Sequence, residues 1–300
     1  MPDKKFSKEE IAQAATRVRK HILRLAIDRG GCYLTQACSS AEIVTSLYMN
    51  ILNIGPSLGN PEAQPFPGVP GPDNMDYPKG ALYNGEATPE RDRLFVSCCH
   101  YASVIYCTLA ECGRISQSAI DKFNVDGWNM EMIGAEHSPG FENTAGSLGQ
   151  TVSIAAGTAH AYKLKGHKGR IFCMLSDGEL QEGQDWECFE AASFFGLDNF
   201  IVYVDVNHQQ LEGWTKDLMG LEPLEDRFRS FGWAVERING HDLDELERAA
   251  QVPHPGKPLV VLCDTNPAQG IRPLESMVPK HFVRIPANRL EEFEAFYAQM

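Results

Sequence analysis

The stretch Arg170-Ile171-Phe172-Cys173-Met174-Leu175-Ser176-Asp177-Gly178-Glu179-Leu180-Gln181-Glu182-Gly183 decides how this chain folds. Arg170 to Leu175 is a short, largely apolar run of the kind that forms a strand buried on both faces of a parallel sheet. The carboxylate of Asp177 then stands at that strand's carboxyl end. Asp185 to Phe195 reads as a helix, and Phe200-Ile201-Val202-Tyr203-Val204-Asp205-Val206 as the next strand, running into Asn207-His208-Gln209. This is a βαβ unit, and it returns Asn207 to the same end of the sheet as Asp177. Crevices outside strand carboxyl ends are where open α/β sheets bind ligands.

A carboxylate and an amide oxygen make a hard, oxygen-only pair, which suits Mg²⁺ or Ca²⁺ rather than zinc or copper. Mg²⁺ takes few protein ligands and completes its octahedron with phosphate oxygens and water. Gly178, with no side chain, would let the backbone approach a phosphate closely. Asp-Gly and Asn are also ordinary turn residues. Two such turns closing one βαβ unit, each with a strand before it, favour a divalent metal holding a diphosphate.

The spacing Asp-Gly-Glu-Leu-x-Glu-Gly followed by Asp-x-Asn, with Asn207 thirty residues after Asp177, resembles the thiamine diphosphate motif of the transketolase family. Other segments match in the same order. Ser39-Ser40-Ala41-Glu42-Ile43 resembles an early helix of the family. Arg91 to His100 resembles a segment ending Leu-Ser-x-Gly-His, and Glu142 to Gln150 resembles Val-Glu-x-Thr-Thr-Gly-Ser-Leu-Gly-Gln. Lys280-His281-Phe282 falls where the family has Trp-His-Gly. The likeness spans about residues 10 to 285.

The resemblance implies transfer of a two-carbon ketol unit from a ketose, phosphorylated or otherwise modified, to an aldose, with thiamine diphosphate as electron sink. It implies Asp177 and Asn207 as metal ligands, joined by the backbone carbonyl of Gln209. It places Gly146 and Gly178 at the diphosphate, and Leu148 and Leu211 against the cofactor rings. Glu182 matches the residue that pairs with an activating glutamate from a neighbouring domain, although a carboxylate at a helix start is also stabilised by the helix dipole alone. His100 and His281 are the candidates for proton transfer beside the substrate, because histidine titrates near neutral pH. His137, in Gly134-Ala135-Glu136-His137-Ser138-Pro139-Gly140, is a further candidate.

Departures from the family pattern concentrate on the sugar side. Tyr33 stands where the family has a donor-contacting histidine, and the Gly-His-Pro before the Gly-Ser-Leu-Gly segment falls near Met132 or Ile133, leaving His137 as a substitute. Cys99 replaces the glycine before His100, and Ser176 the first glycine of Gly-Asp-Gly. These changes predict a donor other than the common pentose and hexose phosphates.

Family transketolases are about twice this length, with diphosphate-binding, pyrimidine-binding and C-terminal domains, and this chain of 300 residues resembles only the first. The activating glutamate lies in the pyrimidine domain. The expectation is therefore a split enzyme: residues 1–300 form one diphosphate-binding domain of three-layer α/β/α type with a mostly parallel sheet, and a second subunit carries the pyrimidine-binding and C-terminal domains. A heterotetramer of two copies of each chain follows from the family's placement of the cofactor between subunits. Competing readings are the cofactor subunit of a 2-oxoacid dehydrogenase, a specialised carboligase, and a non-catalytic binding protein. The Gly-Ser-Leu-Gly-Gln segment and the context of His100 favour transketolase.

Composition sets the surroundings. Apolar residues make up 43% of the chain, enough for a core, and no run approaches the roughly 18 apolar residues of a membrane span. The first ten residues are polar and lack the apolar region of a signal peptide. Nine cysteines form no CxxC pair, which predicts reduced, packed thiols in a cytoplasm. A net charge of -13 argues against nucleic acid or an anionic membrane as partner. A helix is predicted from Ser7, with Glu10 three residues on and an apolar face of Ile11, Ala15, Val18, Ile22 and Leu25. Further helices are predicted over 39–52, 103–112, 144–165, 221–231, 242–250 and 287–300, and strands over 233–238 and 258–263. Residues 55–90 form a Pro/Gly-rich insertion with little periodicity, either a surface excursion or a lid or subunit contact.

Overall fold

The computed structural model describes residues 6–69 and 71–300, so Met1 to Lys5 of the polar start and Pro70 of the insertion lie outside the described residues. Helix α1 (Lys8–Asp28) begins where the sequence signature places it. The Glu10 N–H donates to Ser7 Oγ, and the Ser7 N–H to Glu10 Oε2, a reciprocal box at the helix start. Its predicted apolar face is buried throughout. Helix α2 (Leu34–Ser46) starts earlier than its composition suggests and continues as a π-helical turn over Leu47–Ile51.

Beyond the insertion come β1 (Arg93–Val96), α3 (Ala102–Glu111), α4 (Gln117–Ile120) and α5 (Gln150–Leu164). The predicted βαβ unit is β2 (Ile171–Ser176), α6 (Gly183–Phe194) and β3 (Phe200–Val206). A small hairpin, β4 (Gln209–Gln210) and β5 (Gly213–Trp214), leads to α7 (Thr215–Leu218) and α8 (Leu224–Ser230). Then follow β6 (Ala234–Asn239), α9 (Leu243–Ala249), β7 (Leu259–Asp264) and α10 (Leu290–Tyr297). The sheet order is β1-β2-β3-β7-β6 and every neighbouring pair is parallel.

Side chains alternate between two cores, which is why the strands read as continuous apolar runs. Phe172, Met174, Ile201, Tyr203, Val261 and Cys263 face the layer containing α1, α2, α3 and α9. Cys173, Leu175, Val202, Val204, Val260 and Leu262 face the layer containing α5, α6 and α8. The predicted three-layer α/β/α architecture with a parallel sheet is the one observed. Strand β1 went unread in the sequence because it is four residues long and is preceded by Arg91-Asp92. The cysteines are free and eight of the nine are buried. Among the described residues no helix is long and apolar enough to cross a membrane.

The helix predicted over 144–165 begins only at Gln150. Its first residues are drawn away because the Gly149 N–H donates to the buried carboxylate of Glu179, at 2.8 Å. The 55–90 segment is irregular apart from a 3₁₀ turn, Gly80–Asn84. It lies against residues 127–141: Gln64 N–H donates to Asn129 Oδ1 at 2.7 Å, and Phe66 N–H to Gly127 O at 2.9 Å. Gly80 N–H donates to Glu136 O at 2.8 Å, and Gly140 N–H returns to Gly80 O at 3.0 Å. A Cβ on Gly80 would lie 1.9 Å from Ser138 O, so only glycine permits this approach.

Gly80→Ala should therefore destabilise the chain by about 1–3 kcal/mol through forced separation of the two loops. The midpoint of urea unfolding measures this, together with faster amide exchange at Gly140; an unchanged midpoint would mean that the segment is not clamped there.

Candidate active site at the ends of β2 and β3

The β2–β3 register pairs Ser176 with Asp205, so Asp177 and Asn207 leave the sheet side by side. Main-chain geometry then aims them. Asp177 accepts the Gly178 N–H at 2.9 Å on Oδ1 and the His208 N–H at 2.8 Å on Oδ2. His208 reaches that position in a left-handed conformation, φ 62°, uncommon for a residue with a side chain. Asn207 Oδ1 accepts the Gln209 N–H at 3.0 Å. Gly178 has φ −63°, so its value here is space: a Cβ would meet Gln210 Cβ at 3.3 Å and Gln209 O at 3.8 Å.

A cleft of about 450 Å³ opens over this edge. Its lining includes Gly146, Leu148, Gly178, Asn207, Gln209 and Leu211, together with Tyr33, Cys99, His100 and His281. Asp177 is buried between the lining residues Ser176 and Gly178. The cleft thus gathers most of the residues singled out in the sequence. Leu211 is 69% exposed, open to whatever covers that side.

Burial raises the pKa of Asp177 well above the usual carboxylate range, and the neighbouring carboxylate of Asp205 adds to it. Two buried acids at one strand edge, neither paired with lysine or arginine among the described residues, form a place that a cation would relieve. The oxygen donors there fit Mg²⁺ or Ca²⁺. Among the described residues no group of three or more His, Cys, Asp or Glu is arranged to hold a metal.

In the same lining, His100 and His281 lie with ring centroids 4.8 Å apart. Burial lowers the pKa of His100 to about 3, helped by His281, and burial alone lowers that of His281 to about 4. Both are neutral at physiological pH. His281 Nδ1 is 2.7 Å from Gln36 Nε2, which makes Nδ1 the acceptor and leaves the proton on Nε2. His100 Nε2 is buried without a hydrogen-bond partner among the described residues. Tyr33 packs on both imidazoles, at 5.1 and 5.3 Å between centroids.

His137 and Glu182 do not line the cleft. The His137 ring stacks on Phe66 of the insertion, centroids 4.0 Å apart, and its Nε2 lies 2.5 Å from Glu131 Oε1. It joins the insertion to the 131–137 loop and lies outside the cleft lining. Glu182 is exposed at the start of α6 and makes no side-chain cap.

Several residues of the site escaped the sequence reading. Glu179 is fully buried in the cleft wall, where it accepts from the Ser97 hydroxyl and from Gly149 N–H. Burial raises its pKa to about 7. Asp205, Tyr101 and Ser39 are buried against Asn207, and Gln36 is buried against His281. The only signal in the sequence was a carboxylate, Asp205, inside an otherwise apolar strand.

Asp185, in the first turn of α6, is fully buried, and neither carboxyl oxygen has a hydrogen-bond partner among the described residues. Burial, with Glu179 and Glu182 nearby, raises its pKa to about 8. A raised carboxyl pKa means that the folded state favours the neutral acid. Stability is complete below the unfolded-state pKa and falls as pH rises through about 8. Asp185→Asn removes that loss, so the isolated variant chain should melt roughly 2–5 °C above the parent at pH 9, with the gap closing by pH 4. Thermal melts across this range test it; a gap independent of pH would contradict the assignment.

Residues 83–272 match the sequence model of a family described as transketolase, thiamine diphosphate binding domain. An apulose-4-phosphate transketolase subunit from Actinobacillus succinogenes is 32% identical over 279 residues, covering 92% of this chain and 91% of that one. A 6-deoxy-6-sulfo-D-fructose transketolase subunit of a Clostridium species is 35% identical over 200 residues, covering 66% and 73%. The crystal structure of a transketolase from Campylobacter jejuni superposes with a TM-score of 0.70 at 22% identity, covering 98% of this chain. This chain spans 47% of that one, about half its length. The match is to transketolase rather than to a 2-oxoacid dehydrogenase subunit, and the chain belongs to the transketolase family.

Proposed function

We propose that this chain is the N-terminal subunit of a two-component transketolase, active with a second subunit that carries the pyrimidine-binding and C-terminal domains. The observation that carries the reading is the cleft itself. It joins an oxygen-donor edge, Asp177, Asn207 and Gln209, to a pair of neutral histidines, His100 and His281. Two relatives that match most of their own length are named as transketolase subunits, which supports the division into two chains.

When bound, thiamine diphosphate supplies an electron sink for breaking the bond beside a ketose carbonyl. The protein's own residues do the rest. Asp177, Asn207 and the Gln209 carbonyl would hold Mg²⁺ or Ca²⁺, and Gly146 and Gly178 would offer room and main-chain N–H groups to the diphosphate. Leu148 and Leu211 would pack against the rings. His281, with its proton on Nε2, donates toward substrate oxygen, while His100 Nε2 is free to exchange a proton with a hydroxyl. Exposed Glu182 is left for a carboxylate of the second subunit.

The donor is a phosphorylated or otherwise modified ketose and the acceptor an aldose. Support comes from Tyr33, which narrows the histidine side of the cleft, and from relatives named for apulose 4-phosphate and for a sulfo-sugar. We place residues 1–300 in one diphosphate-binding domain, two copies of each chain in the assembly, and the enzyme in a cytoplasm that keeps its cysteines reduced.

Calorimetry with thiamine diphosphate and Mg²⁺ on the complex of the two subunits tests the reading. Asp177→Ala should abolish cation-dependent binding, because nothing then offsets the diphosphate charge at that edge; binding as tight as in the parent would refute the metal assignment. His100→Ala should spare cofactor binding and lower turnover by roughly 10²–10⁴-fold, whereas unchanged turnover would make the residue structural. The parent enzyme should turn over a modified ketose faster than xylulose 5-phosphate, and the reverse preference would overturn the donor assignment.

A further inference from the structure

Asp205 is the one acidic side chain within β3, a strand buried along its whole length, and is 0% exposed. Four side-chain donors converge on its carboxylate. Thr265 Oγ1 donates to Oδ1 at 2.5 Å. Ser39 Oγ and Tyr101 Oη each donate to Oδ2 at 2.6 Å, and Asn207 Nδ2 donates to the same oxygen at 3.0 Å. The donors come from α2, from the turn before α3, and from the segments that follow β3 and β7.

An ionised carboxylate only accepts, so each hydroxyl spends its proton on Asp205. The lone pairs of Tyr101 Oη and Ser39 Oγ then face Asn207 Nδ2, at 3.3 and 3.5 Å. The amide NH₂ of Asn207 is thus set among three acceptors. A flipped amide would press its oxygen against the Asp205 carboxylate. The orientation left is the observed one, with Oδ1 turned toward Gln209 N–H. Asp205 also adds its own negative charge behind Asp177 at the same strand edge.

We propose that Asp205 is a positioning residue for the divalent-cation site, locking the Asn207 amide with its nitrogen on Asp205 and its oxygen on the Gln209 side, and adding charge behind the ligands. This rests on the assignment of Asp177 and Asn207 as cation ligands under the function proposed above. The role differs from packing: it acts on cation affinity through Asn207, not on the fold alone. Partners that orient metal ligands typically contribute about 10–100-fold to affinity when removed.

The test uses the complex of the full chain with its second subunit. Mg²⁺ is titrated at fixed, saturating thiamine diphosphate, followed both by calorimetry and by kcat. Asp205→Asn should raise the half-saturating Mg²⁺ concentration about 10–100-fold, and excess Mg²⁺ should recover kcat to within about threefold. Tyr101→Phe keeps the carboxylate and removes one donor and one acceptor, so it should raise the half-saturating concentration about 3–10-fold; it carries the test if Asp205→Asn fails to fold. Half-saturation within twofold of the parent in the folded variants, or a kcat that excess Mg²⁺ does not restore, would overturn the role. A parent complex that binds thiamine diphosphate without need of Mg²⁺ would instead sink the underlying site assignment, and this inference with it.

Discussion

The parallel register that sets Ser176 beside Asp205 and Val206 beside Asp264 is the constraint on which the rest of the site depends. Parallel strands end at one edge, and this register ends three of them within a residue or two of each other. Asp177, Asn207 and Thr265 therefore leave the sheet as neighbours, although 88 residues separate the first from the last in the sequence. A slip of one residue would turn every strand side chain to the opposite core. The two apolar layers, each filled by alternate residues of β2, β3 and β7, hold the register against such a slip.

That edge carries charge where burial opposes it. Asp177, Glu179, Asp185 and Asp205 are all buried and all have raised pKa values, with desolvation as the leading cause. A chain of net charge -13 does not need to concentrate acids inside itself for solubility. Their clustering costs stability, a pattern expected where a cation or a proton takes part in function. Asp177 and Asp205 belong to the strand edge that faces the cleft. Asp185 belongs to the start of α6, beside exposed Glu182.

Legibility in the sequence followed the length scale of the physics. The helix at Ser7, the βαβ unit and the strand at 258–263 were readable because capping and apolar runs are local. Helix α5 was misjudged by six residues because a long-range bond, Gly149 N–H to Glu179, overrides the local preference at its start. His137 was legible only as a substitute candidate for the donor side, and its stacking on Phe66, outside the cleft lining, depends on the path of the insertion. The insertion gave no periodicity to read, and its clamping by Gly80 depends on a backbone approach from residues 136–140.

The sequence by itself determined the α/β class, the family, and the oxygen-donor motif, because these reside in short runs of residues and their spacing. Only the tertiary structure decided which histidines share the cleft, that the insertion is held against residues 127–141, and that the Asp205 carboxylate accepts from the Asn207 amide. Those facts depend on which side chains meet across the fold. Hydrogen-bond direction and burial are properties of that meeting, and no run of residues carries them alone.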